Sequence, residues 1–416
     1  MKLAKRAWRK YNQDGARSLW TEGTYLLFES ETLRSFLSRR LLERNGVGRM
    51  DYEELVEFAQ STGSIWVTFD QSGQLTITEP IPPKTRIQRS RSFDQLETDT
   101  PVSPAVMEVP ACSLIHPFGL TLCNQGILQE TIASSTSSSS RIEKALSKSV
   151  LDHSYREIDS LISGTQSNSL ESLSLATPLM LLWGNYYHWT LECLPRLAGV
   201  KRYQTETGNE PTIVVPENPS SWMLESLELL GIDDNRIHPL DTHCTVDRLV
   251  VPTHPGPTPA ECKWLRDQMR AAIDRPETTE ESTGNRIYIS RQNATRRRVE
   301  NEAEVVDMLR SHGFEQYVLE GLSVAEQTTL FANADIVVAP HGAGLANIVY
   351  SESTTIIELF GDTKKTTFYR LAELLDHDYY YFHNPTHYND LILDIDQLEE
   401  LLAEIERESM GEENQK

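Results

Sequence analysis

From about residue 175 to residue 382, short apolar segments alternate with segments of helical pattern, and this alternation constrains the fold more than any other feature. The apolar segments are continuous, as is typical of strands that are buried on both faces of a parallel sheet. Repeated strand–helix units of this kind predict an α/β protein with helices on both sides of its sheets. The predicted strands are 212–215, 248–251, 286–290, 315–319, 335–339, 354–360 and 379–382.

Polar stretches divide this pattern into larger units. Residues 276–284 separate two series of strand–helix units and predict a hinge, so we expect two Rossmann-like domains facing a cleft, at 105–278 and 279–416. Residues 1–104 predict a helical and β extension, with helices in 1–63, a strand pair at 66–69 and 75–78, and a proline-rich linker at 82–104. The Ser-rich stretch 134–140 predicts a loop.

The charge distribution restricts the partners. The chain has 39 basic and 61 acidic residues, for a net charge of −22, but residues 1–49 hold 11 basic and 5 acidic groups. An acidic body argues against nucleic-acid binding, which needs a broad basic face. The basic, amphipathic leader 1–49 instead predicts contact with the inner membrane surface, although a solvated helical face would give the same pattern.

Other features of the composition predict the compartment. No apolar run approaches the roughly 18–20 residues that a transmembrane helix needs, and no signal-peptide core follows the basic residues 1–10. The five cysteines are odd in number and form no Cys-x-x-Cys pair, so neither a disulfide framework nor a thiolate zinc site is expected. We therefore expect a cytoplasmic protein, peripheral on the inner face of the membrane.

A histidine and a carboxylate stand four residues apart within 185–196, a segment rich in polar and aromatic residues. On a helix, His188 and Glu192 would share one face with Cβ atoms ~5–6 Å apart. A carboxylate orients an imidazole and raises its basicity, so the pair could deprotonate a hydroxyl. The alternative is a histidine and a glutamate that only pack a helix under the sheet.

Four arginines fall within eight residues, at Arg291 and at 296–298, after a predicted strand. In open α/β sheets, ligands bind at the carboxyl ends of the strands. Guanidinium forks match the oxygens of phosphate groups. The cluster therefore predicts a phosphate site, with a basic surface loop as the alternative.

Small residues join the strand 335–339 to the next helical segment, in the run Ala339-Pro-His-Gly-Ala-Gly-Leu-Ala-Asn347. They would let backbone amides at a helix start approach a diphosphate, and His341 could donate to a phosphate oxygen. Asn347 stands where a dinucleotide fingerprint needs its last glycine, so we reject that fingerprint. Tight packing of the strand against the helix is the alternative.

Several carboxylates remain as candidates. Glu320 and Glu358 lie at or near strand ends, where either could bind a ribose hydroxyl or cap a helix. Two Asp-x-Asp pairs, 376–378 and 394–396, have the spacing of metal ligands but follow no strand that would direct them to a cleft. We therefore expect no metal site.

These motifs together resemble glycosyltransferase family 61, over roughly residues 105–385. The resemblance is carried by Asn185-Tyr-Tyr-His-Trp-x-x-Glu-x-Leu-Pro-Arg196, Tyr288-Ile-Ser-Arg, Arg298-Val-Glu-Asn-Glu302, Leu319-Glu-x-Leu-Ser-x-x-Glu-Gln327 and Pro340-His-Gly-Ala-Gly-Leu-Ala-Asn347. It implies a GT-B fold and an inverting, metal-independent transfer from a nucleotide sugar. It also implies that His188 and Glu192 face the acceptor. The residues expected to bind the nucleotide sugar are Arg291, Arg298, Glu320, His341, Gly342, Ala343, Gly344 and Asn347.

The predicted function is the transfer of a sugar from a nucleoside-diphosphate sugar, expected to be uridine-linked, to a hydroxyl of a glycan or lipid-linked acceptor. The resemblance implies a role in surface-polysaccharide or glycoprotein glycan assembly, with no cofactor other than the donor substrate. Two alternatives remain: a nucleotide-sugar epimerase of the same architecture, and a non-catalytic, membrane-associated glycan- or nucleotide-binding protein. The residues leave open whether His188 or Glu192 is the base.

Overall fold

The computed structural model describes residues 31–69, 103–124, 126–132, 140–164, 170–253, 256–273, 285–361 and 365–413. Several predicted features lie outside these ranges: residues 1–30 of the basic leader, the strand at 75–78, almost all of the linker, Ser-rich residues 134–139 and the hinge at 276–284. No helix in the described part of the chain is long and apolar enough to cross a membrane.

The described residues form an α/β structure. Its strands are β1 (Arg49–Met50), β2 (Ile65–Val67), β3 (Ala105–Ile115), β4 (Leu120–Cys123), β5 (Gly126–Leu128), β6 (Glu171–Pro178), β7 (Thr212–Pro216), β8 (Ile237–Leu240), β9 (Cys244–Pro252), β10 (Asn285–Ile289), β11 (Phe314–Tyr317), β12 (Ala334–Pro340), β13 (Thr355–Phe360), β14 (Asp378–His383), β15 (Thr386–His387) and β16 (Asp390–Leu391).

The helices of the described ranges are α1 (Glu31–Arg44), α2 (Tyr52–Thr62), α3 (Ser140–Asp152), α4 (Tyr155–Ile162), α5 (Arg196–Thr207), α6 (Ser221–Leu229), α7 (Pro259–Ala272), α8 (Glu302–Ser311), α9 (Val324–Ala332), α10 (Thr367–Leu374) and α11 (Ile395–Glu413). A helical turn at Tyr186–His188 and a π-helical turn at Trp189–Cys193 precede α5. Short 3₁₀ helices follow at Leu319–Gly321 and Ala343–Tyr350.

The first sheet is mixed rather than parallel, which corrects the expectation of a purely parallel unit. Its order is β1-β5-β4-β3-β9-β6-β7-β8, with β2 also paired to β3. Strands β9, β6, β7 and β8 are parallel, whereas β3 runs antiparallel to β9, β4 and β2. Short connections join β3, β4 and β5, and connections of this length allow only antiparallel pairing.

The N-terminal extension contributes to this same sheet. Arg49 in β1 pairs with Ile127, and Ile65 in β2 pairs with Met107. Helix α2 buries Leu55 and Ala59 in the core of the sheet. The predicted boundary near residue 104 therefore does not coincide with an edge between sheets.

The second sheet is parallel throughout, in the order β11-β10-β12-β13-β14. Each of its strands lies within three residues of the predicted position, and helices α8, α9 and α10 connect the strands as the alternation predicts. In helix α9, the side chain of Ser323 accepts from the backbone N–H of Glu326, whose carboxylate accepts from the Ser323 N–H. This capping box explains why the helix begins there.

One hydrophobic cluster contains residues of both halves of the chain. Trp189 and Leu265 of the first half and Phe331, Val337 and Leu345 of the second half belong to the same buried cluster. Polar contacts reinforce it: the Ala325 N–H donates to Glu225 Oε1 at 3.1 Å, and Arg266 Nη1 donates to the Ser351 carbonyl at 2.8 Å. The halves are therefore in direct contact beside the cavity described next.

Candidate functional site

A cavity of about 320 Å³ lies at the carboxyl edge of the second sheet, between that sheet and helix α6. Ser290 and Arg291 follow β10, and the segment 342–345 follows β12. Tyr186 and Trp222 line the cavity from the first half of the chain. This is the edge at which parallel α/β sheets bind ligands.

Arg291 is the basic group at this cavity. Its Nη2 donates to the Arg296 carbonyl at 3.3 Å, and its Nε is buried with no hydrogen-bond partner among the residues that the structure describes. Burial lowers the pKa of its guanidinium, whereas the Glu320 carboxylate raises it. A buried cationic donor without an acceptor is costly, so the site is suited to an anionic oxygen from a ligand.

Gly342 allows Arg291 to take this position. A Cβ atom built on Gly342 would lie 2.1 Å from Arg291 Nη1, so any side chain there would displace the guanidinium. The backbone of Gly342 is extended, with φ −174° and ψ 164°, so glycine is needed for close approach and not for an unusual φ. The 3₁₀ helix Ala343–Tyr350 starts immediately after it.

Three further predicted residues line the cavity: Glu320, Ala343 and Gly344. Glu320 is exposed and sits in the 3₁₀ turn Leu319–Gly321. The buried amide of Gln327 fixes this turn by donating to the Leu319 carbonyl at 3.1 Å and to the Leu322 carbonyl at 3.0 Å. The structure thus brings Glu320 and the glycine-rich turn to the same cavity as Arg291.

His341 and Glu358 form a buried pair beside the cavity. The Nδ1 of His341 is hydrogen-bonded to one carboxylate oxygen of Glu358, and the Tyr379 hydroxyl donates to the other at 2.5 Å. The His341 ring stacks on Phe360 at 5.4 Å. Because Glu358 is fully buried, the expectation that it binds a ribose hydroxyl or caps a helix is wrong; its carboxylate orients His341.

Asn347 does not reach the cavity. Its side chain is fully buried, its Oδ1 accepts from the Tyr186 hydroxyl at 2.7 Å, and its Nδ2 donates to Gln327 Oε1 at 2.9 Å. The resemblance implies that Asn347 contacts a nucleotide diphosphate, but these two bonds already use both polar atoms of its side-chain amide. Asn347 instead links the two halves of the chain.

Arg298 is also placed elsewhere. Its Nη2 and Nε contact Asp390 Oδ2 at 2.6 and 2.9 Å, and its backbone N–H donates to Asp390 Oδ1 at 3.0 Å. Asp390 belongs to the hairpin β15–β16, which the sequence does not predict. This ion pair, in which two guanidinium N–H groups share one carboxylate oxygen, holds Arg298 away from the cavity lining, contrary to its expected place at the diphosphate.

His188 and Glu192 do lie together, with His188 Nδ1 3.0 Å from Glu192 Oε1, but within the described ranges this Nδ1 makes no hydrogen bond of good geometry. The backbone between them is a π-helical turn, in which the Leu194 N–H donates to the Trp189 carbonyl at 2.9 Å. The pair does not line the cavity around Arg291. It reaches His341 through aromatic contacts: Tyr187 lies 5.1 Å from His188 and 5.7 Å from Phe368, which lies 5.4 Å from His341.

One group of side chains in the described ranges has the spacing of metal ligands: His153, Glu157 and His243. The His243 Nδ1 accepts from the His116 N–H at 3.0 Å, so in the neutral ring the proton is on Nε2, which then cannot bind a metal. Burial, with the neighbouring His153 and His116, lowers the pKa of His243 to about 4. The group is therefore better described as a buried polar cluster.

The two Asp-x-Asp pairs belong to no such group in the described ranges. Asp394 instead serves helix α11, where its Oδ1 accepts from the Gln397 N–H at 3.2 Å. Asp378 begins β14 at an exposed position.

Several lining residues were not singled out from the sequence: Tyr186, Trp222, Glu225 and Ser290. Tyr186 and Ser290 lie inside the quoted motifs, next to residues that were selected. Trp222 and Glu225 lie on α6, whose sequence pattern predicts a helix but no binding residues. Nothing in the sequence indicates which helix faces the second sheet.

A known protein family matches the part of the chain that contains most of these site residues. The model of the family described as Glycosyltransferase 61 matches residues 186–357. The match includes the His188–Glu192 pair, Arg291 and the glycine-rich turn after β12. No curated protein matches the chain. Over residues 186–357, the chain is therefore similar to glycosyltransferase family 61, the family that its motifs resemble.

Proposed function

We propose that this chain transfers a sugar from a nucleoside-diphosphate sugar to a hydroxyl of a glycan or lipid-linked acceptor, with inversion and without a metal. The match of residues 186–357 to a glycosyltransferase family supports glycosyl transfer. The observation that carries the donor class is the guanidinium of Arg291, lying over Gly342 with an unpartnered buried Nε at the carboxyl edge of a parallel sheet. In this proposal the two halves are the Rossmann-like domains of a GT-B fold.

Arginines would neutralise the leaving diphosphate. Arg291, Arg296 and Arg297 lie close together: Arg296 lowers the pKa of both Arg291 and Arg297, and Arg291 also lowers the pKa of Arg297. Three positive charges beside the glycine-rich turn would stabilise the negative charge that develops on the leaving group. His341, held by the carboxylate of Glu358, would donate from Nε2 to a phosphate oxygen when protonated.

The rest of the cavity suits the nucleoside. Tyr186 and Trp222 give it an aromatic wall, and the exposed carboxylate of Glu320 can accept hydrogen bonds from ribose hydroxyls. Aromatic walls with a few placed polar groups are typical of small-molecule sites. We propose uridine as the nucleoside of the donor.

His188 would act as the base toward the acceptor. Glu192 Oε1 lies 3.0 Å from its Nδ1, so a small rotation of either side chain would let the carboxylate accept from Nδ1–H and leave Nε2 to accept a proton. The acceptor hydroxyl would give its proton to Nε2 while its oxygen attacks the anomeric carbon. The bond from that carbon to the diphosphate oxygen breaks, and the nucleoside diphosphate leaves. His188 does not line the donor cavity. The acceptor would therefore have to lie between His188 and the sugar of the bound donor.

The test is calorimetric titration of the full chain with a panel of uridine-diphosphate sugars, in EDTA and in Mg²⁺. We expect one donor to bind in EDTA, and Arg291→Gln to abolish binding while Arg298→Gln leaves it intact. Equal donor affinity in the Arg291 variant would refute the proposed site. An absolute requirement for Mg²⁺ would refute metal independence. Product analysis then separates transfer to an acceptor from epimerisation of the donor alone.

Membrane attachment through residues 1–49 and a cytoplasmic position complete the proposal. Leu41 and Leu42 of α1 are buried against α3 and its neighbours, so removing all 49 residues would expose core. The appropriate truncation removes residues 1–30. We expect this variant to lose binding to vesicles of anionic lipid, and retained binding would refute the role of the leader.

A further inference from the structure

Helix α3 places two cations over an aromatic ring beside the His188–Glu192 pair. The guanidinium carbon of Arg141 lies 4.8 Å from the Trp183 ring centre, and Lys144 Nζ lies 5.2 Å from it. Trp183 in turn stacks on His188 at 5.6 Å, with 25° between the ring planes. Because Arg141 and Lys144 are three residues apart on a helix, they share one face.

Arg141 lacks a protein partner for part of its guanidinium. Its Nη1 is buried and has no hydrogen-bond partner in the described part of the chain. Burial lowers the pKa of Arg141, and the Glu192 carboxylate opposes this shift. A buried cationic N–H group without an acceptor is costly. A bound anionic oxygen would remove that cost.

The neighbouring cations are already engaged. Arg196 Nε donates to the Glu192 carbonyl at 2.8 Å, and its Nη1 donates to the Glu130 carbonyl at 2.6 Å. Lys148, one turn after Lys144 on α3, is paired with Asp152. Arg141 therefore differs from both in having a guanidinium N–H group that no described residue accepts from.

We infer that Arg141 and Lys144 form an anion-binding subsite beside His188, which selects an acceptor that carries a carboxylate or phosphate group. This inference rests on the proposed function, because it identifies His188 as the group that faces the acceptor. The planar guanidinium can hold two oxygens of either group. In a chain with a net charge of −22, local positive charge is needed to admit such an acceptor.

The subsite also lies outside the matched family region. Arg141, Lys144 and Trp183 all precede residue 186, where the family match begins. The subsite would therefore set the acceptor preference of this chain, while the matched region supplies the donor site.

The experiment measures binding of three probes to the full chain by calorimetry: methyl β-glucuronide, glucose 1-phosphate and the neutral methyl β-glucoside. We expect at least one acidic probe to bind about tenfold more tightly than the neutral probe, as one charge-assisted hydrogen bond would give. A preference for the glucuronide indicates a glycan carboxylate, and a preference for glucose 1-phosphate indicates a phosphate such as that of a lipid carrier.

Variants localise the effect. Arg141→Gln should abolish the preference for the acidic probe, Arg141→Lys should keep part of it, and the matched control Lys148→Gln should keep all of it. Equal affinity for acidic and neutral probes in the unmodified chain overturns the inference, as does an unchanged preference in Arg141→Gln or no binding of any probe. Titration of Arg141→Gln with a uridine-diphosphate sugar gives a separate result for the donor site, whose failure would instead refute the proposed function.

Discussion

Replacing Gly342 with alanine tests the proposed donor site through a single methyl group. The new Cβ would lie 2.1 Å from Arg291 Nη1. Because Nη1 is at the end of a flexible side chain, we expect the guanidinium to move and the fold to remain. A charge-assisted hydrogen bond contributes about 1.5–3 kcal/mol. Losing about 3 kcal/mol of interaction with the diphosphate would weaken donor binding about 100-fold.

The assay is calorimetric titration with the best uridine-diphosphate sugar, combined with thermal unfolding of each variant. Gly321→Ala is the matched control, because a Cβ on Gly321 would meet no atom within 4 Å although the neighbouring Glu320 lines the same cavity. We expect Gly321→Ala to bind the donor as the unmodified chain does. Donor binding by Gly342→Ala at unmodified affinity would show that the position of Arg291 is not required.

Three further predictions concern single side chains. The pKa of His243 is lowered to about 4, so the unfolded chain binds more protons between about pH 4 and 6.5, and stability should fall as the pH drops through this range, by at most about 3 kcal/mol from this group. In His243→Asn, which keeps an acceptor near the His116 N–H, denaturant unfolding should show a shallower pH dependence, and an unchanged slope would contradict the assignment. Tyr186→Phe leaves the buried Oδ1 of Asn347 without its donor and should cost about 1–3 kcal/mol in urea unfolding, whereas an unchanged midpoint would mean that the bond does not stabilise the fold. Arg298→Gln breaks the ion pair with Asp390 but should leave donor affinity unchanged, and a tenfold loss of donor affinity would return Arg298 to the site.

The second sheet could be predicted from the sequence almost strand by strand. Its strands are short continuous apolar runs separated by helices, so each strand can be recognised within its own segment. The turn after β12 was likewise recognisable, because small residues between a buried strand and a helix have few structural explanations. Local patterns of this kind predict that Arg291 and Gly342 lie at the same edge of the second sheet, where its strands end.

Pairings between distant segments could not be predicted. The mixed order of the first sheet depends on β3 pairing with β9, whose residues are 130 or more positions further along the chain. The resemblance to the family implies that Asn347 and Arg298 bind the diphosphate, because both lie in the motifs that carry it. Their amide and guanidinium are instead used by Gln327, Tyr186 and Asp390, and side-chain partners from remote elements leave no signal in a local pattern.

The hydrophobic cluster shared by the two sheets has a consequence for folding. Trp189 and Leu265 pack with Phe331 and Leu345 in one cluster, so either half produced alone would expose the apolar surface that the other half covers in this cluster. Thermal unfolding should then follow a single cooperative transition rather than two, and residues 285–416 expressed separately should aggregate. The two halves would evolve and fold as one unit, even though each has its own sheet.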